Sequence, residues 1–70
     1  MEYAVVIEKS ENNFGAWVPD LPGCVSTGQT LDEVKANIAE AIAFHLESLI
    51  EHGEAVPRPG TSVATVRIPS

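Results

Sequence analysis

From Thr30 to Gly53 runs the one segment of this chain that is long, amphipathic and marked at both ends, and what it packs against decides the fold. Leu31, Val34, Ile38, Ile42, Leu46 and Leu49 recur at spacings of three and four, which on an α-helix makes a single apolar stripe about six turns long. Thr30 is the expected N-cap. Thr30, Leu31, Asp32 and Glu33 match the capping box, in which Thr and Glu satisfy each other's exposed N–H groups. Asp32 and Glu33 also suit the positive end of the helix dipole, and His52 with Gly53 forms a natural stop. A solitary helix with one apolar face has to cover a sheet.

The remaining residues supply one. Residues 3–8 (YAVVIE) are β-branched and aromatic, with no polar alternation from Ala4 to Ile7, and predict a strand central in its sheet. Ser10, Glu11, Asn12 and Asn13 predict a hairpin turn, and residues 14–18 (FGAWV) the returning strand, with Gly15 as a bulge or a point of close approach. Pro19 ends it. Pro22 and Gly23 mark a second turn, after which residues 24–27 (CVST) predict a short third strand closed by Gly28. Beyond the helix, residues 54–60 (EAVPRPG) predict an extended connector, and residues 62–68 (SVATVRI) a last strand, on the alternation of Val63, Thr65 or Val66, and Ile68.

The expected fold is therefore α+β with the order β-β-β-α-β. The first three strands form an antiparallel meander, and the helix is a crossover on one face. A right-handed crossover sets the fourth strand parallel to the first, on the side away from the second. The other face of the sheet is left without a helix.

Composition narrows the function. Seventy residues make one domain with a marginal core, which self-association often supports. Ten acids against four basic residues give a net charge of −6, and Lys9, Lys35, Arg58 and Arg67 are scattered. Nucleic-acid affinity rests on clustered cations that neutralise phosphates, so neither DNA nor RNA is an expected partner and a basic protein is. The single cysteine, Cys24, cannot form an intrachain disulfide, and the apolar run after Met1 is too short for a signal peptide. No segment reaches the roughly 20 apolar residues that span a bilayer. The expectation is a cytoplasmic protein with no membrane contact.

With these elements in place, the strand YAVVIEK, the segment AWVPDLPGCVSTGQTLDEV, the helix ANIAEAIAFHLE and the connector EAVPRP resemble the HicB-like antitoxin domain. Its PDLPGC and GxTxxE elements occur here in matching order, and the resemblance runs from Tyr3 to about Pro59. It implies a partial ribonuclease H-like fold with the order already reached. It also implies a binding function, because HicB proteins neutralise HicA, a small basic toxin that cleaves messenger RNA through a histidine, by covering its active site. Many such antitoxins continue into a helix-turn-helix or ribbon-helix-helix module that binds operator DNA. No such module follows the helix here, so residues 1–70 are expected to form a single HicB-like domain with no DNA binding of its own.

Each reactive residue type also has a structural reading. In PDLPGC, Pro19 and Pro22 preset φ and Gly23 permits positive φ, which reads as a shaped corner whose side chains contribute to a binding surface. Asp20 is expected to accept backbone N–H bonds in that turn, or to face a basic partner. Cys24 has no Cys-His-Asn signature beside it and reads as a small buried hydrophobe. His45 lies in the apolar stripe and His52 near the helix end, neither with a ligand at metal spacing, so no metal and no cofactor are expected. A ribonuclease H-like nuclease needs several carboxylates around magnesium ions. Glu8 is a single candidate on the first strand, while Asp32, Glu33, Glu40, Glu47 and Glu51 spread over the helix start and its solvent side. The expectation is no enzyme.

The expected function is thus a non-catalytic antitoxin domain that occludes a HicA-like toxin, with Trp17, Asp20, Leu21 and Phe44 as partner-binding residues. The alternative is an orphan homo-oligomeric structural or ligand-binding domain of the same fold. A homodimer or higher homo-oligomer is expected in either case, because Phe44 stands about 120° from the centre of the stripe, the sheet has a bare face, and an edge strand is open. Trp17 or Phe44 is the expected buried aromatic of that dimer.

Overall fold

The computed structural model describes residues 1–69. The elements are β1 (Val6–Lys9), β2 (Phe14–Trp17), β3 (Val25–Gly28) and α1 (Leu31–Glu51), with the three strands in sheet order β1-β2-β3. Both pairings are antiparallel. Ile7 stands opposite Ala16, which stands opposite Ser26, and Val6, Trp17 and Val25 form the next row along. The α+β class and the meander agree with the sequence. Ser10 closes the hairpin by donating its amide to the Asn13 carbonyl at 2.8 Å.

Strand alternation divides these residues between two faces. Ala16 and Val18 point inward and are buried with Leu21, Cys24, Val34 and Ile38, while Tyr3, Val5, Ile7, Phe14, Ala41, Ile42 and Leu46 pack around them. Helix α1 lies over β3 and β2. Its stripe is buried only in the middle of its first half, at Val34 and Ile38, and Leu31 is exposed. Length explains this, because 21 helical residues span about 31 Å and four-residue strands about 13 Å, so the last turns of the helix overhang the sheet.

The helix ends follow the predicted chemistry with one variation. The Thr30 hydroxyl accepts the Glu33 amide at 3.1 Å, but the Glu33 carboxylate reaches back to the Gln29 amide rather than to that of Thr30. At the far end Gly53 adopts φ +68°, its amide meets the Ile50 carbonyl, and the Glu54 amide meets that of Leu49. This is the Schellman arrangement that a glycine after the last turn allows.

Two expectations about glycine resolve differently. Gly15 is neither bulged nor crowded: it pairs in register between Glu8 and Thr27, and a Cβ there would meet nothing within 4 Å. The close approach falls on Gly28, where a Cβ would lie 2.6 Å from the Val34 nitrogen. Only a residue without a side chain lets the end of β3 run against the first turn of α1.

The fourth strand is the main correction. Residues 62–68 make no strand in this chain, and β1, expected to be central, is an edge. The reason lies in the connector. The Tyr3 hydroxyl donates to the Pro57 carbonyl at 2.5 Å, which brings the connector to the start of β1. The Asp20 carboxylate then accepts the amides of Gly60 and Thr61, each at 3.0 Å, and the chain crosses the end of the sheet instead of turning up along β1. The residues beyond project from the body. The radius of gyration is 13.8 Å, where a compact chain of this length would have about 11 Å.

Candidate functional site

The corner between β2 and β3 is stitched by three backbone bonds: Val18 amide to Cys24 carbonyl, Leu21 amide to Val18 carbonyl, and Cys24 amide to Leu21 carbonyl, at 3.0 to 3.1 Å. Gly23 takes φ +84°, which a side chain would oppose. The effect is to drive Leu21 into the core with no exposed surface. Leu21 was expected at a partner surface and is a core residue instead.

Asp20 does accept backbone N–H bonds, as its residue type suggested, but from Gly60 and Thr61 rather than from its own turn. The Thr61 hydroxyl adds a third bond at 3.0 Å. The Thr61 and Gly60 amides hold its carboxyl below the usual aspartate range, because donors favour the charged form. Cys24 is buried at 3% exposure, and burial pushes its thiol up, away from the nucleophilic thiolate. His45 is half-buried beside a shallow groove with Gly23, Cys24, Val25, Ala41, Phe44 and Ser48.

The surface most available to a partner is the sheet face opposite the helix. Alternation sets Val6, Glu8, Gly15, Trp17, Val25 and Thr27 there, and register puts Val6, Trp17 and Val25 in one cross-strand row. Trp17 is 42% exposed and Val25 is 65% exposed. The Trp17 indole N–H donates to the Glu8 carboxylate at 3.2 Å, so the ring's one donor is satisfied while its face stays open. Gly15 leaves a hollow beside it. Around the β3 edge, Val25 also borders the groove that holds Phe44, itself 68% exposed.

Trp17 and Phe44 are therefore both on the surface, joined through Val25, whose part the short CVST segment gave no means to foresee. Glu8, the one strand acid, is engaged with Trp17. Among the described residues no three of His, Cys, Asp and Glu come together as a metal could use them, and no helix is long and apolar enough to cross a membrane.

A three-stranded antiparallel meander under one capped helix, with Trp17 central in a cross-strand row on the uncovered sheet face, defines a small α+β domain. Residues 3–69 match the family described as HicB-like antitoxin of bacterial toxin-antitoxin systems, and the chain belongs to that family. The fold is similar to the crystal structure of the N-terminal domain of the Burkholderia pseudomallei antitoxin HicB, with a TM-score of 0.79 at 40% identity, over 89% of this chain and 74% of that one. It is also similar to a chain of a HicA3 and HicB3 toxin-antitoxin complex, with a TM-score of 0.74 at 33% identity, over 86% of this chain and 70% of that one. Among sequences, a UPF0150 protein of Thermoplasma acidophilum is 43% identical over 67 residues, covering 94% of this chain and 97% of that protein. An uncharacterised 14.9 kDa protein of Haemophilus phage HP1 is 45% identical over 58 residues, covering 83% of this chain; the chain spans 44% of that protein's length.

Proposed function

We propose that this chain is an antitoxin that works in the cytoplasm by binding alone, lying over the active site of a small basic HicA-type toxin and keeping messenger RNA out. Membership of the HicB-like antitoxin family over residues 3–69 carries the reading, and the likeness to a chain of a HicA3 and HicB3 complex supports it. The charge of −6 favours a basic partner and speeds its encounter. The row of Val6, Trp17 and Val25, bordered by Glu8, has the composition of an interface, with an aromatic centre and a polar rim. Phe44 borders the same surface through Val25, whereas the Asp20 carboxylate is engaged by Gly60 and Thr61.

The test is to purify a small basic HicA-type toxin, sought first in the reading frame beside this chain's gene, and to measure its cleavage of RNA as this chain is added. Cleavage falls to background at equimolar antitoxin if the reading holds. Undiminished cleavage at saturation overturns it.

A further inference from the structure

Residues 62–68 hold a strand pattern that the chain leaves unused. Ala64, Val66 and Ile68 fall at period two on one side of an extended segment, yet Val66 is 78% exposed and Ile68 76%. The sheet has a matching vacancy at β1. The β3 edge is partly closed, since α1 packs against it and the Asn37 side-chain amide donates to the Thr27 carbonyl at 2.8 Å. β1 lies outside the helix's cover, and among the described residues its outer edge has no strand beside it. An exposed segment with a strand pattern and an open sheet edge in one small molecule are each a site for pairing with another chain.

We propose that residues 62–68 are an exchanged strand, which pairs along the free edge of β1 in a second copy of this chain while that copy's strand pairs in return. The connector makes the exchange the easier route. It reaches the start of β1 at Tyr3, the end from which a parallel fourth strand sets out, and Asp20 then leads it past. Pro57 and Pro59 restrict the backbone on both sides of Arg58 and disfavour a tight reversal onto the chain's own β1. The family match extends to residue 69, so the segment is part of the domain.

Charge selects the occupant. All ten acids lie between Glu2 and Glu54, whereas residues 55–70 contain Arg58 and Arg67 and no acid. The projecting segment is thus the basic end of an acidic protein, and the body of a second copy is complementary to it. A basic partner would meet it with like charge. Each copy offers one free strand and one free edge, so a two-fold pair closes with nothing left over. Among the described residues of each, six hydrophobic side chains are buried, a small core that an added strand with an apolar face would extend. The inference does not rest on the toxin reading.

Light scattering on the full chain at micromolar concentration tests it, with the expected mass twice the 7.5 kDa of one chain. Val66→Pro removes a backbone donor from the proposed ladder and Val66→Asp puts charge on its apolar side, and both lie outside the core. Each variant is expected to run at the mass of one chain with the helical part of its far-ultraviolet circular dichroism unchanged. In the parent chain, hydrogen exchange is expected to be slow at residues 6–9 and 62–68 together, and Val66→Pro frees both. A single-chain mass for the parent, or a dimer that survives both variants, overturns the exchange. Protection of residues 62–68 that arises only when a basic toxin is added overturns it as well.

Discussion

The carboxylate of Asp20 accepts the amide of Gly60 at 3.0 Å across forty residues of sequence, and this bond fixes where the C-terminal segment leaves the body. The Thr61 amide and hydroxyl share the same carboxylate. One acid at the β2–β3 corner thereby couples the corner to the exit of the chain.

Replacing Asp20 by Ala is expected to speed hydrogen exchange at Gly60 and Thr61 while leaving the helical signal unchanged, because the bonds it removes lie at the surface. The pH dependence has a definite sign. The native carboxyl titrates below the ordinary aspartate value of 3.8, so its contribution is present in full above that value and is lost as the pH falls through the lowered one. Amide chemical shifts of Gly60 and Thr61 followed from pH 6 to pH 2 should move with a midpoint below the ordinary value in the parent. That shared movement should be missing in Asp20→Asn.

Gly28→Ala is expected to cost about 1 to 3 kcal/mol, the range for forcing an atom into a packed site, since its Cβ would lie 2.6 Å from backbone that cannot step aside. In a domain this small that corresponds to a loss of roughly 4 °C or more in Tm. Gly15→Ala is the control. Its Cβ would meet nothing within 4 Å, so thermal unfolding should place it at or above the parent, and equal Tm values for the two variants would disprove the crowding at Gly28.

Cys24 is expected to resist thiol reagents in the native protein at neutral pH and to react at once in denaturant. It is buried, and burial disfavours the thiolate that such reagents require. Stoichiometric labelling of the folded chain within the mixing time would show that the corner opens.

Local rules made most of this fold legible. The Thr30 cap, the Gly53 stop, the Ser10 hairpin and the positive φ at Gly23 each follow from what one or two residues can do, and each stands in the structure. What the sequence did not disclose depends on distant partners. The alternation of residues 62–68 predicted a fourth strand and none forms, because pairing depends on where the connector is tethered, and the tether is Asp20, forty residues away. Leu21 and Trp17 differ in the same way. Both are large apolar residues near the corner, and only the path through Pro19, Pro22 and Gly23 decides that Leu21 is swallowed while Trp17 stays open. The crowding at Gly28 likewise needs the packing of α1 on β3, which no spacing in the sequence encodes.

Trp17 is expected to be the energetic centre of the proposed toxin interface. It sits in the middle of the cross-strand row, flanked by Val6 and Val25, so a partner seated on this face would enclose it on both sides. Its indole N–H is already bonded to Glu8, so covering the ring would not leave a donor stranded. Central, fully desolvated aromatic residues lose about 2 kcal/mol or more when cut to alanine, equivalent to a weakening of roughly thirty-fold. Phe44 lies at the end of the same surface and should cost less. Because Trp17 is the chain's one tryptophan, its fluorescence reports the contact directly. Adding a tryptophan-free form of the toxin should shift the emission to the blue, and inhibition of RNA cleavage by Trp17→Ala should require about thirty times more antitoxin. An emission maximum unmoved at a toxin concentration that abolishes cleavage would place the interface elsewhere on the chain.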